Sequence, residues 1–119
     1  MAARATLYGI PNCDQVKKAR SWLTLRHIAY VFHDLKKVAV DRALLENWLQ
    51  QMPWETLLNR RGTTWRALSE DRRAAVIDTN SAIAVMLEAP SIIKRPVLTT
   101  GEHCVCGFSD GLYQQIFEP

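Results

Sequence analysis

The stretch Thr6-Leu7-Tyr8-Gly9-Ile10-Pro11-Asn12-Cys13-Asp14-Gln15-Val16-Lys17-Lys18 decides how the chain is read. Thr6, Leu7 and Tyr8 favour a strand. Gly9 and Pro11 break it. Asn12 suits an N-cap, and Asp14 to Leu25 carries no Gly or Pro and suits a helix. The pattern is a strand end, a tight turn and a helix start, and it puts Cys13 in the first helical turn. Unsatisfied N–H groups and the positive end of the helix dipole favour a thiolate there. Lys17, one turn further on, adds positive charge, while the Asp14 carboxylate works against it. The expected sum is a lowered thiol pKa. The alternative is a small buried cysteine that packs like an alanine. From this stretch alone both readings stand.

Outward from the turn, residues 4–9 are expected as the first strand and 13–27 as the first helix. Val16, Ala19, Leu23 and His27 form its inward stripe, with Trp22 beside them. Residues 28–33 are rich in β-branched and aromatic side chains and predict a second strand. A strand, a helical crossover and a strand imply parallel pairing. Asp41 reads as the N-cap of a helix over 42–52, with Leu44, Leu45, Trp48 and Leu49 inward. The middle, roughly 41–89, reads as helical throughout: 54–58, a loop at 59–64, a short turn at 65–68, a helix from Ser69 or Glu70 to Ile77, and a helix over 82–88 capped by Asn80-Ser81. Residues 92–99 return to strand. Thr100-Gly101-Glu102 is a hairpin connection to a strand over 103–108, and Ser109 or Asp110 caps a last helix through Phe117.

A length of 119 residues fits one domain with a core that needs no disulfide staples. Hydrophobic residues at 48% and charged residues at 23% are those of an ordinary soluble globular protein. A net charge of +3 without clustering does not make a nucleic-acid surface. Met1-Ala2-Ala3-Arg4 leads into the first strand without an apolar signal core, and no apolar run approaches a membrane span. The expected compartment is the cytoplasm, where the three cysteines are thiols or catalytic groups.

Cys13 has Val16 where a C-x-x-C motif would place a second cysteine, so no local resolving thiol exists. The thiol that completes its chemistry is a small thiol, a partner protein, or Cys104 or Cys106. Those two share one face of the 103–108 strand. With His27 and His33 as the only histidines besides His103, they lack the further ligands of a metal site and read as two packed thiols. Arg60, Arg61 and Arg95 are candidates for anion recognition. Arg66, Arg72 and Arg73 read as a solvated helical face. Nothing local favours a cis bond at Arg95-Pro96. Trp22, Trp48, Trp54 and Trp65 read as packing.

The segments Leu7 to Cys13, Leu57 to Trp65, Ile92-Ile93-Lys94-Arg95-Pro96 and Gly107-Phe108-Ser109 occur in the order and spacing of a known family. The chain resembles the arsenate-reductase-like family of the thioredoxin superfamily, which also holds the Spx regulators, and within it the YffB branch. The resemblance implies an α/β fold: a single thioredoxin-like domain, a four-stranded mixed sheet with an all-helical insertion at about 41–89. It implies that Cys13 is the redox nucleophile, that Arg95 is an active-site arginine before a cis-proline at Pro96, and that the loop arginine falls near Asn59 to Arg61, with Arg61 the best match. Asn12, Arg60 and Pro96 complete the expected substrate-binding set. Arsenate reductases carry a further arginine where this chain has Gly107, and some Spx members carry the cysteine that is here Val16.

The function expected on these grounds is a thiol oxidoreductase that uses glutathione as co-substrate, with Cys13, Arg95 and Arg61 in the catalytic roles. No bound cofactor, metal, membrane or nucleic-acid partner is expected. Glutathione, a glutaredoxin or a protein thiol is the partner, and the chain is expected to be a monomer. The alternatives are an arsenate reductase with a weakened oxyanion site and a non-catalytic, Spx-like protein-binding regulator.

Overall fold

The computed structural model describes Arg4 to Glu118, and the reading of Met1-Ala2-Ala3 falls outside the described residues. The chain divides into two compact units, one made of the residues up to Ala39 together with those from Arg95 onward, the other of Val40–Lys94.

The first unit is the sheet. It contains β1 (Ala5–Gly9), α1 (Asp14–Leu25), β2 (Tyr30–Asp34), β3 (Val97–Thr99), β4 (Cys104–Cys106) and, at its C-terminal end, a helix over Asp110–Phe117. The strand order is β2-β1-β3-β4. β1 pairs parallel with β2 and antiparallel with β3, and β3 pairs antiparallel with β4. This is the four-stranded mixed sheet of the thioredoxin-like fold. Alternation sends Ala5, Leu7 and Leu98 to one face, where they meet Ala19, Trp22 and Leu23 of α1 and Tyr113 of the last helix. Trp22, Phe108 and Tyr113 meet there edge to face, with ring centroids 5.6 Å apart for Trp22–Tyr113 and 4.8 Å for Phe108–Tyr113.

The second unit is helical: α2 (Arg42–Leu49), α3 (Trp54–Leu57), α4 (Thr63–Ala67), α5 (Glu70–Ala74) and α6 (Thr79–Glu88), followed by a 3-10 turn over Pro90–Ile92. The helix over Asp110–Phe117 is therefore α7. α2 packs on α6, and the chain closes on itself through a bridge between Leu58 and Ile93. Asp41, Ser69 and Ser109 cap α2, α5 and α7 as read from the sequence, each accepting a backbone N–H three residues on.

Several boundaries differ. His27 does not continue the buried stripe of α1. It is exposed at φ 56°, its N–H donates to the Thr24 carbonyl, and the Ile28 N–H donates to that of Leu23. This is a Schellman ending, with histidine in the left-handed position that glycine usually takes. α6 starts three residues earlier than expected, because Asp78 and Ser81 form a reciprocal capping box that Asn80 does not offer. The backbone N–H and hydroxyl of Ser81 also hold the Asp78 carboxyl below its ordinary pKa. Residues 92–96 are not strand: Ile92 ends a 3-10 turn and β3 begins only at Val97. Thr63 and Thr64, read as loop, open α4. No helix among the described residues is long and apolar enough to cross a membrane.

One close approach ties α1 to the sheet. A Cβ at Gly9 would lie 2.6 Å from Val16 Cγ2, so the end of β1 meets the first turn of α1 with no room for a side chain. Valine is stiff about χ1 and cannot swing aside. Gly9→Ala is expected to destabilise the chain by about 1–3 kcal/mol, the usual range for overpacking. Adding Val16→Ala should relieve that clash, so the double variant should be less destabilised than the two single changes summed. Urea unfolding of all three variants checks this, and simple additivity would show that the contact does not constrain the turn.

Candidate active site

The register gathers one end of the sheet. Tyr8 pairs with Val97, and Val97 with Cys106, while Gly9 pairs with Asp34. β1 and β2 finish at this end, β3 starts there, and β4 finishes there. The Leu35 N–H donates to the Gly9 carbonyl at 2.9 Å, and the Gly107 N–H to the Pro96 carbonyl at 2.8 Å, so the pairing continues past the strands. Four segments therefore share one edge of this unit: the turn after β2, the Ile10-Pro11-Asn12-Cys13 turn, Arg95-Pro96, and Gly107.

Within that edge Cys13 stands at the start of α1. It is the N-cap itself, with extended backbone at φ −91° and ψ 129°, and its carbonyl accepts from Lys17. The expected cap, Asn12, lies outside the helix and is exposed. The correction is a matter of one residue: Ile10 and Cys13 close the turn through a 3.3 Å backbone hydrogen bond, which uses Asn12 inside it. No side chain caps α1. The amides of Asp14, Gln15 and Val16 have no acceptor within the helix, and Cys13, half-buried, is the residue at the N-cap position.

Arg95 is half-buried and Pro96 buried, and the bond between them is cis. The Arg95 guanidinium has no ion pair or hydrogen bond among the described residues. In contrast, Arg26 pairs with Asp110 and Glu118, and Arg72 with Glu88. Arg73 donates to the Leu68 carbonyl. Arg66 and Arg72 are exposed, in line with a solvated helical face, whereas Arg73 is half-buried and its guanidinium also donates to the Arg66 carbonyl. Arg60 and Arg61 are exposed in the turn before α4, where the Arg61 N–H donates to Asn59 Oδ1 at 3.2 Å. They belong to the Val40–Lys94 unit, whereas Asn12, Cys13, Arg95 and Pro96 belong to the sheet unit.

The other two thiols differ from Cys13. Cys104 is buried and Cys106 half-buried, and none of the three is in a disulfide. Burial, with the nearby Cys106 thiol as a second cause, pushes the Cys104 pKa up to about 11. Gly107 has φ 77°, a conformation that costs any L-residue about 1–2 kcal/mol. Among the described residues no three His, Cys, Asp or Glu side chains gather as metal ligands.

One feature of the edge escaped the sequence reading. A cleft of about 460 Å³ opens at Pro11 and is lined further by Arg20, Phe32, His33, Asp34 and Lys37. The available signal was spacing: Arg20 stands seven residues after Cys13, two helical turns along nearly the same line.

The ArsC family model matches residues 8–116. A solved YffB protein superposes with a TM-score of 0.87 at 47% identity, over 93% of this chain and 96% of its own. A solved arsenate reductase (ArsC) related protein from Brucella melitensis gives 0.77 at 45% identity, over 100% and 98%. An uncharacterized protein of Haemophilus influenzae is 38% identical over 112 residues, which is 94% of this chain and 97% of that one. With a mixed sheet of order β2-β1-β3-β4, a cysteine at the start of α1 and a cis-proline opening β3, the chain belongs to the ArsC family of the thioredoxin superfamily, in its YffB branch.

Proposed function

We propose that the chain is a thiol oxidoreductase that works with glutathione, with Cys13 as its redox nucleophile. The observation that carries the reading is the uncapped start of α1: Cys13 sits at the N-cap and no side chain takes the free amides. Its thiolate attacks one sulfur of a disulfide; the Cys13–S bond forms, the old S–S bond breaks, and the other sulfur departs as a thiolate. With oxidised glutathione the products are a mixed disulfide at Cys13 and one reduced glutathione. A second thiol, from glutathione, a glutaredoxin or a protein, then releases Cys13 by the same exchange. The missing C-x-x-C partner supports an external resolving thiol. Cys104, held protonated at neutral pH, is a poor attacking group. The free amides at the helix start suit a sulfur anion. Arg95 holds a carboxylate of glutathione or an anionic substrate, with Asn12 and Pro96 beside the same turn, and Arg61 and Arg60 of the helical unit are the further candidates for anion recognition. A monomer in a reducing cytoplasm fits three cysteines without a disulfide.

Arsenate is a poor substrate on this reading. Gly107 presents no donor side chain, and an oxyanion with several negative oxygens needs several fixed donors.

Alkylation with iodoacetamide at pH 7.5 should label Cys13 first and leave Cys104 untouched until the pH approaches about 11, where its thiol ionises. Cys104 reacting ahead of Cys13 would contradict the assignment. Arg95→Ala should lower the rate of glutathione-linked turnover roughly 10- to 100-fold, the kinetic equivalent of losing one charge-assisted contact of about 1.5–3 kcal/mol. Its melting temperature should stay near that of the unaltered chain; a lower melting temperature with full turnover would make Arg95 structural. Gly107→Arg should raise arsenate reduction from a very low level, measured with glutathione and glutaredoxin, while losing about 1–2 kcal/mol of stability to the left-handed backbone. Vigorous arsenate turnover by the unaltered chain would favour arsenate reductase instead.

A further inference from the structure

We infer that the cleft opening at Pro11 seats the glycyl carboxylate of the glutathionyl group attached to Cys13, held by Arg20 and Lys37. The inference rests on the glutathione-linked reading of Cys13 and adds where the peptide lies: on the β2 side of the turn, opposite Arg95.

Two cations line this cleft with no anion assigned to them. The Arg20 Nε donates to the Tyr30 hydroxyl at 3.1 Å, and its guanidinium lies 4.1 Å from the centroid of Phe32. Stacking and that single hydrogen bond fix the plane of the fork, and its two terminal amino groups have no partner among the described residues. Lys37 is exposed on the turn after β2 and forms no ion pair among the described residues. Asp34 lines the same cleft but pairs with neither cation; its Oδ1 accepts the Lys36 N–H at 2.9 Å. His33 Nε2 lies 3.1 Å from the Val38 carbonyl, and since a carbonyl only accepts, that nitrogen carries a proton and adds no acceptor. Arg26 of the same unit is also stacked, over Trp22, but pairs with Asp110 and Glu118, while Arg4 lies over Phe117 without an ion pair among the described residues. Arg20 is stacked in the same way and is left uncompensated, facing a concavity that it shares with a second cation.

The reach agrees. Seven residues of helix rise about 10 Å from Cys13 to Arg20. A disulfide of about 2 Å followed by an extended cysteinyl-glycine of about 7 Å covers most of that distance, and the arginine side chain covers the rest. The glycyl end is a lone carboxylate. The γ-glutamyl end carries an ammonium beside its carboxylate, which two facing cations repel. That end is left for the Arg95 side of the turn.

The test compares second-order rates of Cys13 thiolation by oxidised glutathione and by hydroxyethyl disulfide, which has no carboxylate, followed by intact mass. The ratio of the two rates is the readout. In the unaltered chain it should favour glutathione. Lys37→Glu should lower the ratio at least tenfold, and Arg20→Gln should lower it further in the double variant. On the unaltered chain, oxidised glutathione esterified at its glycyl carboxylates should lose the preference to a similar degree, a result that needs no variant to fold. A preference for glutathione that survives both Lys37→Glu and esterification overturns the subsite and leaves the glutathione reading standing. An unaltered chain with no preference for glutathione overturns both.

Discussion

The end of β1 and the first turn of α1 touch without a side chain between them. The contact of Gly9 with Val16 fixes where the helix begins relative to the central strand, and so where the free amides of its first turn open. β1 is paired on both sides, parallel to β2 and antiparallel to β3, so the turn that follows it is held between two neighbouring segments. The turn after β2 lies on one side and Arg95-Pro96 on the other. The position of Cys13 is thus set by strand pairing and by one steric contact, and no side-chain hydrogen bond is spent on capping its helix.

The three thiols differ in where the fold places them. Cys13 is half-buried at a helix start. Cys104, in β4, is buried with a second thiol on the same strand face, and both facts oppose its ionisation. The charge pattern is sorted as well. Most arginines of the sheet unit are tied to carboxylates or stacked on rings. Arg95 and the pair Arg20 and Lys37 flank the cysteine turn on opposite sides, and none of the three is paired with a carboxylate among the described residues. An anionic peptide lying across the turn would meet a cation on each side.

Much of this was legible in the residues. The breakers Gly9 and Pro11, the Gly-free run from Asp14 to Leu25 and the β-branched second strand lead to the βαβ start of the sheet, and the hairpin at Thr100-Gly101-Glu102 leads to its other edge. Caps that rest on one side chain and one amide, such as Asp41 and Ser109, were readable because the interaction is local. Where two local solutions compete, the sequence was ambiguous. Asp78 with Ser81 outcompetes Asn80 because the box satisfies donors in both directions. Asn12 loses the cap to Cys13 because the turn needs it as an interior residue. His27 looks periodic, yet it takes the left-handed position that ends the helix. Beyond the seven-residue spacing from Cys13 to Arg20, the cleft of Arg20 and Lys37 left no trace in the sequence, since its walls come from α1 and from the turn after β2, and only the tertiary fold brings them together. The cis bond at Pro96 had no local signal either; it entered through the family resemblance.

The central claim is that Cys13 is the nucleophile that exchanges with glutathione. The direct measurement is peptide mapping of the reduced, folded chain after brief exposure to oxidised glutathione at neutral pH. The account predicts a single glutathione adduct, carried by the peptide that contains Cys13. An adduct confined to the peptide with Cys104 and Cys106, or no adduct while the same thiols alkylate freely, would contradict it.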